Sequence, residues 1–344
     1  MRERTFTRGL YAVTGAATSL FLIYAFAHPV SPTSVKTTAR ASSARRTPVP
    51  TASSISPVSG SLLDPTKKYL GVAQDNVPNS MTDLASLSKE IGKKPNMIAY
   101  YVPWGQPLNQ TWVLDLVNDG ILPLIQFEPA KPSIAAIASG ASDAYATTLA
   151  ETIKNLDVPI VFSFGHEMNG NWFNWGTQDT SAADFVKAWK RIHDIFTKVG
   201  ATSVIWLWDV NVTYPVPNVA LQPLFPGDAY VDWIGLTGYY NIGAGGRSTF
   251  DSLFEPTMEQ VRELSQKPFL IAETGVSPSS EKPTEIRDLF GGVEDHTDVL
   301  GFVWFNYDKP GKNETNWMIN SDSTSAATFA SLALGSGWGF PITP

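Results

Sequence analysis

The chain has 344 residues, enough for one large domain or two ordinary ones, with no cysteine and a formal net charge of −7. The charge is uneven: residues 1–60 carry seven Lys/Arg against one acid, which leaves 18 basic and 31 acidic residues in 61–344, a net of −13. So acidic a part is a poor partner for nucleic acid or an anionic membrane but suits a neutral polysaccharide, and without cysteine its stability must come from core size rather than disulfides.

Residues 1–8 are basic, and Gly9 to Ala27 form an apolar run ending in Ala25-Phe26-Ala27, a small-x-small site before His28. Residues 1–27 therefore have the form of a secretory signal peptide. Because the run approaches the minimum length for a bilayer span, an uncleaved signal anchor is the alternative. Either form sends the protein out of the cytoplasm, secreted or tethered to the outer face of the membrane. Residues 28–60, rich in Ser, Thr and Pro, bury too little to fold and are expected to be a disordered linker. Residues 61–344 are the expected folded domain.

Within that domain, short apolar runs predict strands at 69–75, 96–104, 122–129, 159–167, 203–210, 231–240, 268–275 and 300–308. Amphipathic stretches between them predict helices, among them 82–91, 143–155, 182–199, 253–265 and 326–334. The pattern at 182–199 is the clearest, with Phe185, Ala188, Trp189, Ile192, Ile195 and Phe196 on one face. Strands buried on both sides and alternating with helices imply a parallel sheet, and eight such units imply an α/β (β/α)8 TIM barrel. A doubly wound sheet is the alternative, but the first strand leads into Asn76-Val77-Pro78 with no Gly-rich nucleotide turn.

In such a barrel the C-terminal strand ends form the active site. Glu167 ends the fourth strand and Glu273 falls within the seventh. Period-two alternation groups Glu167 with Gly165 and Ser163, and Glu273 with Ile271 and Phe269, so both carboxylates are expected at the mouth. Two strand-borne carboxylates beside aromatic rings are what glycosidic bond cleavage needs. The low-polarity surroundings of Phe164, Trp172 and Trp175 suit Glu167 to hold a proton as acid/base. Glu273 must stay ionised, and Tyr239 next door is the natural donor to it. His166-Glu167 lacks the second histidine of a zinc motif, and four histidines with no cysteine speak against a metal; no cofactor is expected.

The segments Gly165-His166-Glu167-Met168-Asn169-Gly170-x-Trp172, 231–239, Leu270-Ile271-Ala272-Glu273-Thr274-Gly275 and Trp317-Met318-Ile319-Asn320-Ser321 resemble glycoside hydrolase family 26, over roughly residues 68–334. That family comprises mostly endo-β-1,4-mannanases with some β-1,3-1,4-glucanases. The resemblance implies Glu167 as acid/base and Glu273 as nucleophile, with His166 near the cleaved sugar and Trp172 lining adjoining subsites. It also implies Tyr239 holding the nucleophile and Trp304 as the ring beneath the sugar. Asn169 belongs to the same run and joins the expected substrate-binding set. The chain departs from the family at Ser163, where an arginine is common, and in mannanases at Thr237 for an aspartate and Phe305 for an arginine.

Further aromatic residues carry two readings each. Trp175 follows a strand, where sugar stacking outweighs core packing; for Trp104 and Trp208 the two are balanced. Trp206 and Trp208 share one face of strand five, which predicts that at least one faces the barrel interior. Trp189 and Trp233 are expected to be structural. Asp75, Gln126 and Glu128 end strands one and three within reach of sugar hydroxyls. The rival to an enzyme is a non-catalytic glycan-binding barrel.

Overall fold

Eight parallel strands close into a barrel in sequence order: β1 (Tyr69–Gln74), β2 (Met97–Pro103), β3 (Leu122–Glu128), β4 (Ile160–Phe164), β5 (Val204–Asn211), β6 (Trp233–Tyr240), β7 (Phe269–Val276) and β8 (Val299–Asn306). β8 returns to β1 in a register running from Tyr69↔Gly301 to Gln74↔Asn306. This computed structural model describes residues 58–213, 216, 219–240, 246–311 and 314–342. The expected leader at 1–27 and nearly all of the expected linker at 28–60 lie outside the described residues. The (β/α)8 architecture is as expected from the sequence, with strand ends moved by at most three residues.

Helices α1 (Gly60–Leu63), α2 (Met81–Glu90), α3 (Gln110–Asn118), α4 (Ile134–Ala138), α5 (Asp143–Leu156), α6 (Ala182–Val199), α7 (Phe250–Arg262), α8 (Lys282–Asp295) and α9 (Ser323–Ala333) accompany the strands. A short antiparallel hairpin, β9 (Asp308–Gly311) and β10 (Glu314–Asn316), follows β8. α6 shows why the helices form where they do. The Ser181 hydroxyl accepts from Asp184 N at 3.1 Å, and Gly200 ends the helix at φ +83°, which suits a residue without Cβ. Between these caps Phe185, Ala188, Trp189, Ile192 and Phe196 are buried against the barrel. Each large side chain contributes roughly 1.5–3 kcal/mol.

Two apolar layers result. Tyr69, Met97, Leu122, Val161, Leu207, Trp233 and Phe305 belong to the group filling the barrel, while the alternate residues of each strand pack beneath the helices. α1 closes the N-terminal end: Tyr69 OH donates to Leu62 O at 2.7 Å and Trp233 Nε1 to Leu63 O at 2.9 Å. Trp189 and Trp233 are fully buried, as structural residues should be.

Three local expectations fail for identifiable reasons. Trp206 and Trp208 both lie in the outer layer, because Leu207 and Asp209 take the inward parity of β5. β4 ends at Phe164, and Glu167 is reached through a turn with Gly165 at φ +62° and Glu167 at φ +53°. Strand alternation therefore does not aim Glu167. On β7 a bulge shifts the register from Leu236↔Ile271 to Thr237↔Glu273. Ile271 and Phe269 face the helices, so the bulge turns Glu273 inward against the parity expected from those two residues.

Candidate active site

Glu167 sits in left-handed backbone, uncommon for a glutamate and costing on the order of 1–3 kcal/mol. Two bonds hold it there: Glu167 N donates to Asp209 O at 2.9 Å, and Glu167 O accepts from Gly170 N at 2.9 Å. The residue is 9% exposed, with Oε2 accepting from Trp172 Nε1 at 2.8 Å and Oε1 from Asn211 Nδ2 at 2.6 Å. Burial, together with the charge of Glu273, pushes its pKa up to about 8, against the pull of these two donors. Burial and that charge both favour the protonated carboxyl.

Burial acts on Glu273 as well, but its two donors are phenols. Tyr101 OH donates to its Oε2 and Tyr239 OH to its Oε1. Burial raises its pKa, while the two phenols and the charge of Lys309 oppose the rise. Both tyrosines hold their own protons well above the usual phenol range, first through burial and then through the charge of Glu273, so they remain donors. The expected Tyr239 contact is present. Sequence reasoning misses Tyr101, because nothing in Tyr100-Tyr101 marks which ring faces inward until the register of β2 is known.

His166 is 4% exposed between Tyr101, Phe173 and Trp175, with ring centroids 5.7, 5.1 and 5.7 Å away. Burial lowers its pKa to about 3, so it is neutral, and its Nδ1 is enclosed without a protein partner. Trp172 remains half-buried at the mouth, donating to Glu167.

Four residues expected to bind sugar do other work. Asn169 is 1% exposed and spends both amide atoms on the backbone of Asn211: Nδ2 donates to its carbonyl at 2.7 Å, and Oδ1 accepts from its N–H at 2.8 Å. It therefore aims the Asn211 side chain at Glu167. Trp175 is 4% exposed, donates to His166 O at 2.7 Å and stacks on Phe173 at 4.2 Å, fixing the turn that carries Glu167. Trp104 packs edge-on against Phe127, Tyr145 and Phe164, and its Nε1 donates to Ser142 Oγ at 3.0 Å. Trp304 has no exposed surface and lies in the outer layer against Phe329.

What Trp304 does is hold a second tryptophan. Its Nε1 donates to Trp317 O at 2.8 Å, while Trp317 N donates to Tyr307 O at 2.8 Å. Lys282 Nζ donates to Met318 O and Ser321 Oγ, both at 2.8 Å, and Ile319 N donates to Asn306 Oδ1 at 2.7 Å. So strapped, the half-buried Trp317 ring rests on Tyr239 at 4.5 Å between centroids. The sequence carries a signal for it, since Trp317 opens one of the segments that bear the family resemblance.

Below the mouth lies a buried polar layer. Gln126 Nε2 donates to Asp209 Oδ2 at 2.9 Å and Thr237 Oγ1 to Asp209 Oδ1 at 3.2 Å; burial lifts the pKa of Asp209 to about 7. Ser163 and Thr237, two of the departures from the family, are buried at this level and present no surface at the mouth. Among the described residues no group of His, Asp and Glu has the arrangement needed to hold a metal ion.

The framework is a (β/α)8 barrel whose strand ends carry two glutamates, one held by an indole and an amide and the other by two phenols, among aromatic rings. Residues 109–270, a little under half of the chain, match the model of Glycosyl hydrolase family 26. Among its relatives, Endoglucanase H of Acetivibrio thermocellus is 29% identical over 75% of this chain and 29% of its own length. The Mannan endo-1,4-beta-mannosidase A and B of Caldalkalibacillus mannanilyticus is 23% identical over 50% of this chain and 33% of its own length. The chain thus spans about a third of these relatives. Among solved structures, a GH26 β-mannanase from Bacteroides ovatus superposes with a TM-score of 0.59 at 15% identity, covering 81% of this chain and 92% of that one. A modular endo-β-1,4-mannanase from Cellulomonas fimi gives 0.59 at 16%, over 81% of this chain and 74% of that one. At these identities the likeness bears on the fold.

Proposed function

We propose that this chain is a retaining endo-β-glycanase. The observation that carries the reading is the different setting of the two glutamates: burial and the charge of Glu273 favour the protonated form of Glu167, while two phenols donate to Glu273. Glu167 gives its proton to the departing glycosidic oxygen as Glu273 Oε attacks the anomeric carbon, forming a glycosyl ester and breaking the C–O bond. Glu167, now ionised, takes a proton from water, whose oxygen displaces Glu273 and returns both carboxyls to their starting states. Trp172, Trp317 and His166 form the sugar-facing surroundings.

The substrate is a β-linked hexose backbone, with β-1,4-mannan, glucomannan or galactomannan first, in keeping with the His166–Trp172 segment and the mannanases among the relatives. Mixed-linkage β-glucan is the second reading, favoured by one observation: the match to Endoglucanase H spans 75% of this chain, against 50% for the first mannosidase. Reducing-sugar release by the full chain, assayed in parallel on galactomannan, glucomannan and mixed-linkage β-glucan, tests the reading. Release from the mannans supports the first substrate and release from mixed-linkage glucan alone supports the second. No release by folded protein moves the non-catalytic glycan-binding barrel to first place.

Export belongs to the same proposal, secreted or held at the outer face of the membrane, on the strength of the basic start and the apolar run Gly9–Ala27. No described helix is long and apolar enough to cross a membrane, and that run lies outside the described residues. N-terminal sequencing of the exported chain distinguishes cleavage after Ala27 from an intact anchor.

A further inference from the structure

A third carboxyl stands at the mouth, and the double displacement does not use it. Glu128 is the last residue of β3, on the inward parity of Leu122, Leu124 and Gln126, one step nearer the mouth than the Gln126 that holds Asp209. Its side chain is half-buried, yet its Oε1 is fully enclosed and has no hydrogen-bond partner. Buried polar atoms in native proteins are almost always paired, so an enclosed, unpaired oxygen in a binding cleft marks a bond completed by something else.

Its charged neighbours come from the site itself. Burial brings the pKa of Glu128 to about 7, the charge of Glu273 adds to the rise, and Lys309 opposes it. Lys309 sits on β9 with its ammonium 4.4 Å from the Phe305 ring centroid and 5.7 Å from that of Tyr307. Glu128 thus shares the mouth with the nucleophile. A carboxyl that is partly protonated near neutrality both donates and accepts, which suits two adjacent hydroxyls of a sugar ring.

We propose that Glu128 is a specificity-determining residue whose carboxyl grips neighbouring hydroxyls of the sugar unit seated on the β2–β3 side of the mouth beside Glu273. This rests on the glycanase reading above. The orientation of those hydroxyls differs between gluco- and manno-configured units, so the contact discriminates between them. Lys309 balances the charge and limits the rise in proton affinity of Glu128.

The test compares the full chain with Glu128→Gln, Glu128→Ala and the near-isosteric Glu128→Met on gluco- and manno-oligosaccharides of matched length, with folding checked by circular dichroism. The expected result for Glu128→Ala is a loss of about 10- to 100-fold in kcat/KM on the preferred series, carried mainly by KM. The ratio between the two series should shift by about tenfold, and Glu128→Gln should restore most of the loss. Glu128→Met gives the same reading should the alanine variant fail to fold. An unchanged KM, or an equal loss on both series, overturns the inference. If wild type turns over neither series, the glycanase reading fails separately, and calorimetric binding of the same oligosaccharides decides: tenfold weaker binding by Glu128→Ala upholds the role of Glu128. Equal binding, or none by wild type, overturns it.

Discussion

The side-chain amide of Asn211, at the end of β5, donates to Glu167 Oε1 at 2.6 Å, and Asn169, two residues beyond Glu167, clamps the backbone of Asn211 from both sides. The Glu167 carboxyl is thereby aimed by a strand other than its own. The turn that carries it leaves β4 in left-handed backbone and needs an external anchor.

Replacing Asn169 should act through this anchor. Asn169→Ala leaves two buried backbone groups of Asn211 unpaired and should cost about 1–3 kcal/mol of stability, read in a chemical denaturation curve. Activity should fall about tenfold with KM little changed, because the lost bond aims a carboxyl and does not hold sugar.

Glu167→Gln should lower hydrolysis by about 10²–10⁴-fold, the usual range for a positioned general acid. In wild type the alkaline limb of the kcat/KM profile should fall near pH 8, where Glu167 loses its proton. The variant should lack that limb. A limb that persisted would assign it to another group.

Tyr101→Phe and Tyr239→Phe each remove a donor to Glu273 that opposes the rise in its pKa. Each loss favours the protonated nucleophile, so the acidic limb should move up by about one pH unit and kcat/KM should fall about 10- to 100-fold. Rate profiles of the two variants measure both effects.

Much of the framework is legible in the amino-acid sequence, and the misses share a cause. The eight apolar runs and the bounds of α6 follow from periodicity and caps, which are local signals. Parity is what fails. A bulge on β7 reverses the facing of Glu273 relative to Ile271 and Phe269, and the inward Asp209 sends both Trp206 and Trp208 outward. Trp304 lies near the C-terminal end of β8, and the family resemblance reads it as the ring beneath the sugar. The outward face of β8 makes it the brace for Trp317 instead. Tyr101 and Asn211 escape notice because each reaches its carboxylate from another strand, a relation that exists only once the barrel closes.

The two tryptophans should therefore separate in their effects. Trp304→Ala should cost about 3–5 kcal/mol, as truncation of a fully buried aromatic does. Trp317→Ala should leave the melting temperature within a few degrees but raise KM by about tenfold, through the lost ring at the mouth. Calorimetry and steady-state kinetics on both variants read these outcomes.

Stability should fall with rising pH between about 6.5 and 8. Glu167 and Asp209 bind protons more tightly folded than unfolded, so the folded state holds more protons above the ordinary carboxyl range, and its advantage is lost as pH climbs toward about 8. His166 works in the opposite sense, losing stability as pH falls below about 6.5, outside this window. A decline of about 2–4 °C in melting temperature across the window is expected, flattened in Glu167→Gln.

The central claim is that two unlike glutamates perform two successive displacements at one anomeric carbon. Proton NMR of the reaction on a β-1,4-linked oligosaccharide, taken in the first minutes before mutarotation, reads the anomer released at the new reducing end. The account predicts the β anomer first, with the α form appearing only as the sugar equilibrates. An α anomer released first would mean a single displacement by water and would contradict the nucleophilic role of Glu273.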